Sequence, residues 1–240
     1  MLGLLGTGYH EVIYRPILNL LVGLYNVLPI HDIGIVIILV TILIRVILAP
    51  FMHKSLKSQK AMSSLQPKMN DLREKHKNDR EAQAKAMMDL YKEHQVNPLS
   101  SCLPVLVQLP ILIALYQVFR TALKGHLNGL YHFVHNPVTL DPKFLHLIDL
   151  SHPNAVFAIL AGLAQFWQSR IITSWQGKST NQDATAKALN VQMMYVLPAI
   201  SVIIAWSLPA GLPLYWIVTT LFAVGQQYYI QRTHKDPVIA

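Results

Sequence analysis

The run IGIVIILVTILIRVILAPF, residues 33–51, carries a single charge, Arg45, in nineteen residues. A helix that crosses the hydrocarbon core of a bilayer takes about 20 predominantly apolar residues, because its backbone satisfies its own polar groups and its side chains meet lipid. Working outward from this run, four more of the same kind follow: Leu103 to Leu123, Ala155 to Thr173, Val191 to Leu208 and Leu212 to Ile230. Apart from Arg45, only Arg120 and Arg170 fall within these bounds. Both lie within about one turn of a run's end, where a long side chain snorkels to the headgroups. Composition agrees: 52% of the 240 residues are hydrophobic and 13% charged, and the mean hydropathy is +0.35. The expectation is an all-α polytopic membrane protein with five transmembrane helices.

The first thirty residues open MLGLLGTG, with no basic stretch ahead of the apolar one and no small-residue cleavage pattern, so they are expected to belong to the mature chain. From Ile17 onward Leu20, Leu21, Leu24 and Leu28 recur at helical spacing, and Arg15, Asn19 and Asn26 form a polar stripe interrupted by Val22. This pattern predicts an amphipathic helix in the membrane interface. The alternative, a sixth span, is disfavoured by Arg15, the two Asn and the bracketing Pro16 and Pro29.

Between the first two runs, Lys54 to Ser101 holds ten of the twenty Lys/Arg and six of the twelve Asp/Glu. Met62, Leu65, Met69 and Leu72, and after Asn78-Asp79 the residues Ala84, Met87 or Met88 and Tyr91, repeat at helical spacing. Two short antiparallel helices are expected, with Pro67 kinking or restarting the first. Their methionines, Met62, Met69, Met87 and Met88, either pack the hairpin or offer adaptable apolar contact to a client.

Charge sets the orientation. The hydrophilic hairpin, the loop Arg170 to Asn190 and the tail from Gln231 together carry fifteen Lys/Arg, whereas the N-terminal segment and the loop after the second run, Arg120 included, carry four. The positive-inside rule then places the N-terminus outside, and the hairpin and C-terminus in the cytoplasm. The net charge of +8 is thereby mainly a topology signal, secondarily suited to anionic lipid or ribosomal RNA, and no specific nucleic-acid partner is implied.

Several chemistries have no visible site. No Walker A motif is present, the eleven His are scattered with no HExxH, Cys102 is alone, and none of the five runs contains Asp, Glu or His. The sequence predicts no enzyme, no metal and no cofactor. At bilayer depth remain Arg45 and a set of amides and hydroxyls. Arg45 lies three residues past the middle of its run, about 4.5 Å, where burial costs about 2.5–3.5 kcal/mol. Either it snorkels to the cytoplasmic headgroups or it lines a water-filled cavity with Thr41 one turn away. In the third run Ala158, Gly162, Gln165 and Ser169 share a face; in the fifth, Trp216, Thr219 or Thr220, Ala223 and Gln227 do so. Gln108 and Gln117 of the second run point opposite ways, so at most one faces a common cavity. Each Gln alone is also explained as an interhelical hydrogen bond.

The strings TILIRVILAPF, LQPKMNDLREKH, LYKEHQVNPLSSCLPVLVQLPILIALYQVF, LAGLAQFWQSR and GLPLYWIVTTLFAVGQQYYIQR together resemble the YidC family of membrane protein insertases, from about residue 14 to 233. The resemblance implies a bundle around a hydrophilic groove open to cytoplasm and lipid and closed on the outer side. Its groove arginine falls on Arg45, and its groove positions in the third and fifth spans fall on Gln165 and Trp216 with Tyr215. The residues expected at the groove are thus Arg45, Thr41, Gln108, Gln165, Tyr215, Trp216 and Thr219. The implied organisation is an extracytoplasmic interfacial helix (1–30), a first span (31–53), a cytoplasmic hairpin (54–102), spans two to five (103–230) and a short tail (231–240). The implied function is insertion and folding of nascent membrane proteins with short translocated tails in a bacterial plasma membrane. Membrane lipids, the Sec translocon, the signal recognition particle receptor and the ribosome are candidate partners. Ser100-Ser101 stands where relatives carry a Gly-rich pair, and neither a lipoprotein signal nor a large periplasmic domain is expected. A short tail implies weak ribosome contact. A small secondary transporter or channel using the same cavity is the alternative, disfavoured because five spans do not divide into inverted repeats.

Overall fold

The computed structural model describes residues 7–97, 103–122, 127–137, 139–175, 188 and 191–233. Cys102, Ser100-Ser101, most of the loop Arg170 to Asn190 and the end of the tail lie outside the described residues. The helices are α1 (Arg15–Val27), preceded by a π-helical turn His10–Tyr14; α2 (Ile33–Ser64); α3 (Gln66–Lys75); α4 (Arg80–Glu93); α5 (Leu103–Ala122); α6 (Ala155–Ser174); α7 (Leu197–Ser207), entered through a π-helical turn Gln192–Val196; and α8 (Gly211–Thr233). Among the described residues the chain also forms a two-stranded antiparallel ribbon, β1 (Lys143–Phe144) and β2 (Ile148–Asp149), and an isolated bridge between Pro153 and Pro209.

Two of these helices are long and apolar enough to cross a membrane, Ile33–Ser64 and Ala155–Ser174, and Leu106–Ala122 and Gln192–Ser207 form shorter apolar stretches. Their outward side chains are apolar. Ile42, Val46 and Ile47 on α2, Leu106 and Ile113 on α5, Leu160 and Leu163 on α6, and Ile203 on α7 are all exposed. A water-soluble bundle buries such residues; here they face outward, as lipid requires. α8 is the hub, packing against α6 and α2, while α7 lies on α6. There Gly162 admits α7 closely, since a Cβ at that position would clash with the Val202 side chain.

α1 is amphipathic, with a packed face somewhat different from the one the spacing suggests. Ile17, Leu18, Leu21, Val22 and Tyr25 are buried in the main core with the first half of α2 and the second half of α5, so Val22 belongs to the packed face and does not interrupt it. The polar stripe is covered by protein. Asn19 is buried and donates from Nδ2 to the carbonyls of Arg15 (2.8 Å) and Gly129 (3.1 Å) while accepting from the Tyr131 N–H (2.6 Å). Arg15 donates to Gly129 O (3.1 Å) and Asn26 to His135 O (2.7 Å). The stripe binds the loop after α5; period alone cannot distinguish that from a face turned to water.

The loop closes one end of the bundle. Asp32 caps α2, accepting from Ile35 N–H (3.0 Å), and its second oxygen accepts from Leu145 N–H (2.5 Å). Leu145 and His146 form the turn of the ribbon at φ 53° and 59°, a conformation that costs non-Gly residues of order 1–3 kcal/mol and persists only where the surroundings over-determine it. Asp32 is part of that determination. Beside it Phe144 lies directly on Gly34, and the Ala210 and Gly211 N–H groups donate to His152 O (2.9 Å) and Leu150 O (3.1 Å), tying α8 to the same loop.

At the other end α2 runs without a break through Pro50 to Ser64, so the boundary expected between residues 53 and 54 falls inside one helix. Helix α3 begins after Leu65, with Pro67 in its first turn. It lies antiparallel to α4, which is capped by Asp79 through Glu81 N–H (3.1 Å) and Ala82 N–H (3.0 Å). Ala61, Leu65, Met69, Leu90 and Val96 form the hairpin core, with Met62, Leu72, Met87 and Tyr91 against it. Ala84 and Met88 are exposed. Met88 is therefore the methionine turned outward, and Met69 packs the hairpin.

A Cβ at Gly34 would lie 2.1 Å from Phe144 Cδ2 and 2.8 Å from Phe144 Cβ. Gly34→Ala should destabilise the protein by about 1–3 kcal/mol through overpacking, measured by thermal unfolding in detergent. Adding Phe144→Ala should return most of that loss; no recovery in the double variant would place the clash elsewhere.

Candidate functional site

Four helices enclose a cavity of about 320 Å³. α2 contributes Arg45, Met52, Leu56 and Gln59, and α5 contributes Pro104, Gln108 and Leu109. From α6 come Gln165, Gln168 and Ile172, and from α8 come Trp216, Thr219, Thr220, Ala223, Gln226 and Gln227. The α2 residues step by 7, 4 and 3, which keeps them on one helical face over about 21 Å of rise. The α8 residues do the same over five of their six positions, with Gln226 at the edge. No acidic residue is among the lining residues, and the one cation is Arg45.

Arg45 is held by neutral groups. Its Nε–H donates to Thr219 Oγ1 (2.7 Å) and its Nη2 donates to Gln108 Oε1 (2.9 Å). The Gln108 amide in turn donates to the Tyr215 hydroxyl oxygen. Tyr215 is 3% exposed and stands behind Gln108, outside the lining. Among the described residues no carboxylate pairs with Arg45, and Nη1 takes no part in the two bonds above. Guanidinium is fully charged at any accessible pH, so the cavity carries one positive charge that nothing in its wall cancels. Ile37, Leu115, Phe119, Leu150 and Leu212 are buried together in the main core, and none of them is among the lining residues.

The model of the 60Kd inner membrane protein family matches residues 23–237. The chain belongs to this family. It is 39% identical over 201 residues to a protein of Fusobacterium nucleatum called membrane protein insertase YidC, an alignment covering 83% of this chain and 86% of that one. Proteins of the same name from Geotalea daltonii (36% over 228 residues) and Pelobacter propionicus (33% over 232 residues) align with 94% and 97% of this chain. The chain spans about two fifths of the length of those two relatives, 38% and 41%.

Of the residues that the family resemblance and the periodicity single out, Arg45, Gln108, Gln165, Trp216 and Thr219 line the cavity, and so does the rest of the α8 face, Thr220, Ala223 and Gln227. Tyr215 meets it through Gln108. Thr41 does not: it is 1% exposed, its hydroxyl donates to Ile37 O (2.6 Å) in its own helix, and it is absent from the lining. A hydroxyl inside a helix has this local partner available wherever it sits, which spacing alone cannot reveal. Gln117 points the other way, as expected, and accepts from the Tyr9 hydroxyl (3.3 Å). Gln59, Gln168 and Gln226 were not anticipated. Gln59 follows Arg45 by 14 residues on the same face, a signal hidden by closing the first span at residue 53; Gln168 stands one turn beyond Gln165. The hairpin methionines lie apart from this cavity.

Thr219→Val keeps the shape of the side chain and removes the acceptor of Arg45 Nε. A hydrogen bond to a charged group is worth about 1.5–3 kcal/mol, so detergent-solubilised Thr219→Val should unfold at lower denaturant by that amount, whereas Thr219→Ser should stay near wild type. Equal stability of the Val and Ser variants would remove this bond from the account.

Proposed function

We propose that the chain is a membrane protein insertase that works through this cavity. The observation that carries the reading is a guanidinium held inside an apolar helical bundle by two neutral side chains, in a wall with no acid. Membership in a family whose relatives bear the name membrane protein insertase YidC supports it. In this reading α2, α5, α6, α7 with its π-helical entry, and α8 are five spans in a bacterial plasma membrane. The N-terminus is outside, and the hairpin and C-terminus are cytoplasmic. The apolar outward faces and the bias of Lys/Arg support that arrangement. The cavity is then a groove open to the cytoplasm and to lipid and shut on the outer side by the core and the Asp32-anchored loop.

The mechanism follows from the cost of taking charge across hydrocarbon. A short, acidic tail of a nascent membrane protein leaves bulk water for the wet groove, where the lower effective dielectric strengthens its attraction to Arg45. Only the remaining part of the bilayer then has to be crossed dry. The client's apolar segment moves into lipid along α6 and α8, past Gln165 and Trp216, and its transfer at about 25 cal/mol per Å² drives release without a nucleotide. An inside-negative membrane potential pulls an acidic tail outward as well. Met88, exposed on α4, and the partly buried Met62 and Met87 offer adaptable contact to nascent chains or to the ribosome, the signal recognition particle receptor or the Sec translocon.

The test is insertion of a single-span substrate with an acidic tail into liposomes containing the purified protein. Arg45→Ala should lower the insertion rate about tenfold, the equivalent of about 1.4 kcal/mol, and should have less effect on a neutral tail. Equal rates for wild type and Arg45→Ala would falsify the electrostatic step.

A further inference from the structure

Six glutamines line the cavity, Gln59, Gln108, Gln165, Gln168, Gln226 and Gln227. Every primary amide presents donors and an acceptor together, which is the pattern of a peptide group. One of them is singular. Gln227 is 1% exposed, and among the described residues neither its Nε2 nor its Oε1 has a hydrogen-bond partner. A buried polar group without a partner is expensive, and each such group in a folded protein calls for an explanation. Thr219, two turns before Gln227 on α8, is already bonded to Arg45, so the orphaned amide lies further along the same wall, in the direction of Gln59.

A tail in transit through a membrane has a matching problem. Outside a helix its own N–H and C=O groups are unpaired, and hydrocarbon offers them nothing. Resting on the insertase reading above, we propose that Gln227 is a backbone-recognition residue: its amide pairs with a main-chain peptide group of the non-helical translocated tail, with Gln168 and Gln226 beside it in the wall, independently of the tail's side chains. Arg45 then selects for charge at one level of the groove, and Gln227 binds any peptide at the next. The recognised ligand class is an extended polypeptide backbone, and the buried amide of Gln227 supplies the half of the bond that the substrate completes.

The experiment uses the full chain in liposomes and a synthetic single-span substrate with an uncharged tail, so that Arg45 has no ion to attract. The tail is made in two forms, one with ordinary amide bonds and one with several backbone esters, which delete the N–H donors and weaken the carbonyl acceptors while keeping every side chain. The quantity read is the ratio of insertion rates, amide tail over ester tail. In Gln227→Met, similar in length and apolar, that ratio should fall about fivefold from its wild-type value, the equivalent of one net hydrogen bond. An unchanged ratio overturns the proposal, including the case in which Gln227→Met slows both tails equally, since that result assigns Gln227 to bound water or to packing. If Gln227→Met does not fold, Gln227→Asn, which withdraws the amide by one methylene, is read in the same way. Insertion of neither tail by wild-type protein above protein-free liposomes overturns the insertase reading and this proposal with it, and is distinct from an unchanged ratio.

Discussion

The arrangement depends on a cation that is drawn partly out of bulk water without being neutralised. Arg45 on α2 reaches Thr219 on α8 and Gln108 on α5, and Gln108 is braced by Tyr215. One side chain thereby ties three helices together at the level where the cavity interrupts their packing. In lipid there is little hydrophobic force between helices, so shape and hydrogen bonds hold the bundle. Arg45 supplies these bonds where the cavity leaves close contact unavailable.

The rest of the molecule makes the two ends of the bundle unlike. At the loop end, α1, the first half of α2 and the second half of α5 form a dry core, and Asp32 fastens the ribbon over it through a single carboxylate shared by a helix cap and a strained turn. Gly34 is what lets Phe144 lie flat there. At the other end α2 continues as one helix to Ser64 and turns at Leu65 into the hairpin. Between them the lining descends from Arg45 to Gln59 and from Trp216 to Gln227. A smaller cluster of Leu56, Ile171, Trp175, Val224 and Ile230 keeps α2, α6 and α8 together beyond it.

Much of this was legible in the residues, for reasons that can be stated. The face Trp216, Thr219, Thr220, Ala223 and Gln227 is readable because α8 is an uninterrupted helix, and polar residues in an apolar run repeat only where something polar awaits them. The opposed directions of Gln108 and Gln117 followed from angle alone, and each meets a different partner. What was not legible depended on what another segment does. The stripe of Asn19 and Asn26 suits water or a loop equally, and the loop, 110 residues later in the case of Gly129, decides it. Thr41 fails for the opposite reason, since its partner is four residues away in its own helix. Gln59 was hidden because the apolar run ends at Phe51 and Lys54 opens the hydrophilic segment, yet the helix continues through the exposed Pro50 to Ser64. A proline deletes one backbone bond, and the flanking turns and tertiary contacts hold the rest.

The choice of neutral partners for Arg45 has an energetic logic that an acid in the wall would defeat. Asp or Glu beside Arg45 would form a desolvated ion pair, in which the two charges largely cancel toward anything entering the cavity, and removing either one afterwards would strand the other. Thr219 and Gln108 accept hydrogen bonds from the guanidinium without adding charge, so its solvation is partly replaced while its field persists. Such partners stabilise the cation less than a carboxylate would, and that shortfall is the useful quantity: an arriving anion meets an interaction still to be made. The same holds for the unpaired amide of Gln227 toward a peptide group. In both places hydrogen-bonding capacity stays open among the described residues, and in the proposed reading the client is what fills it.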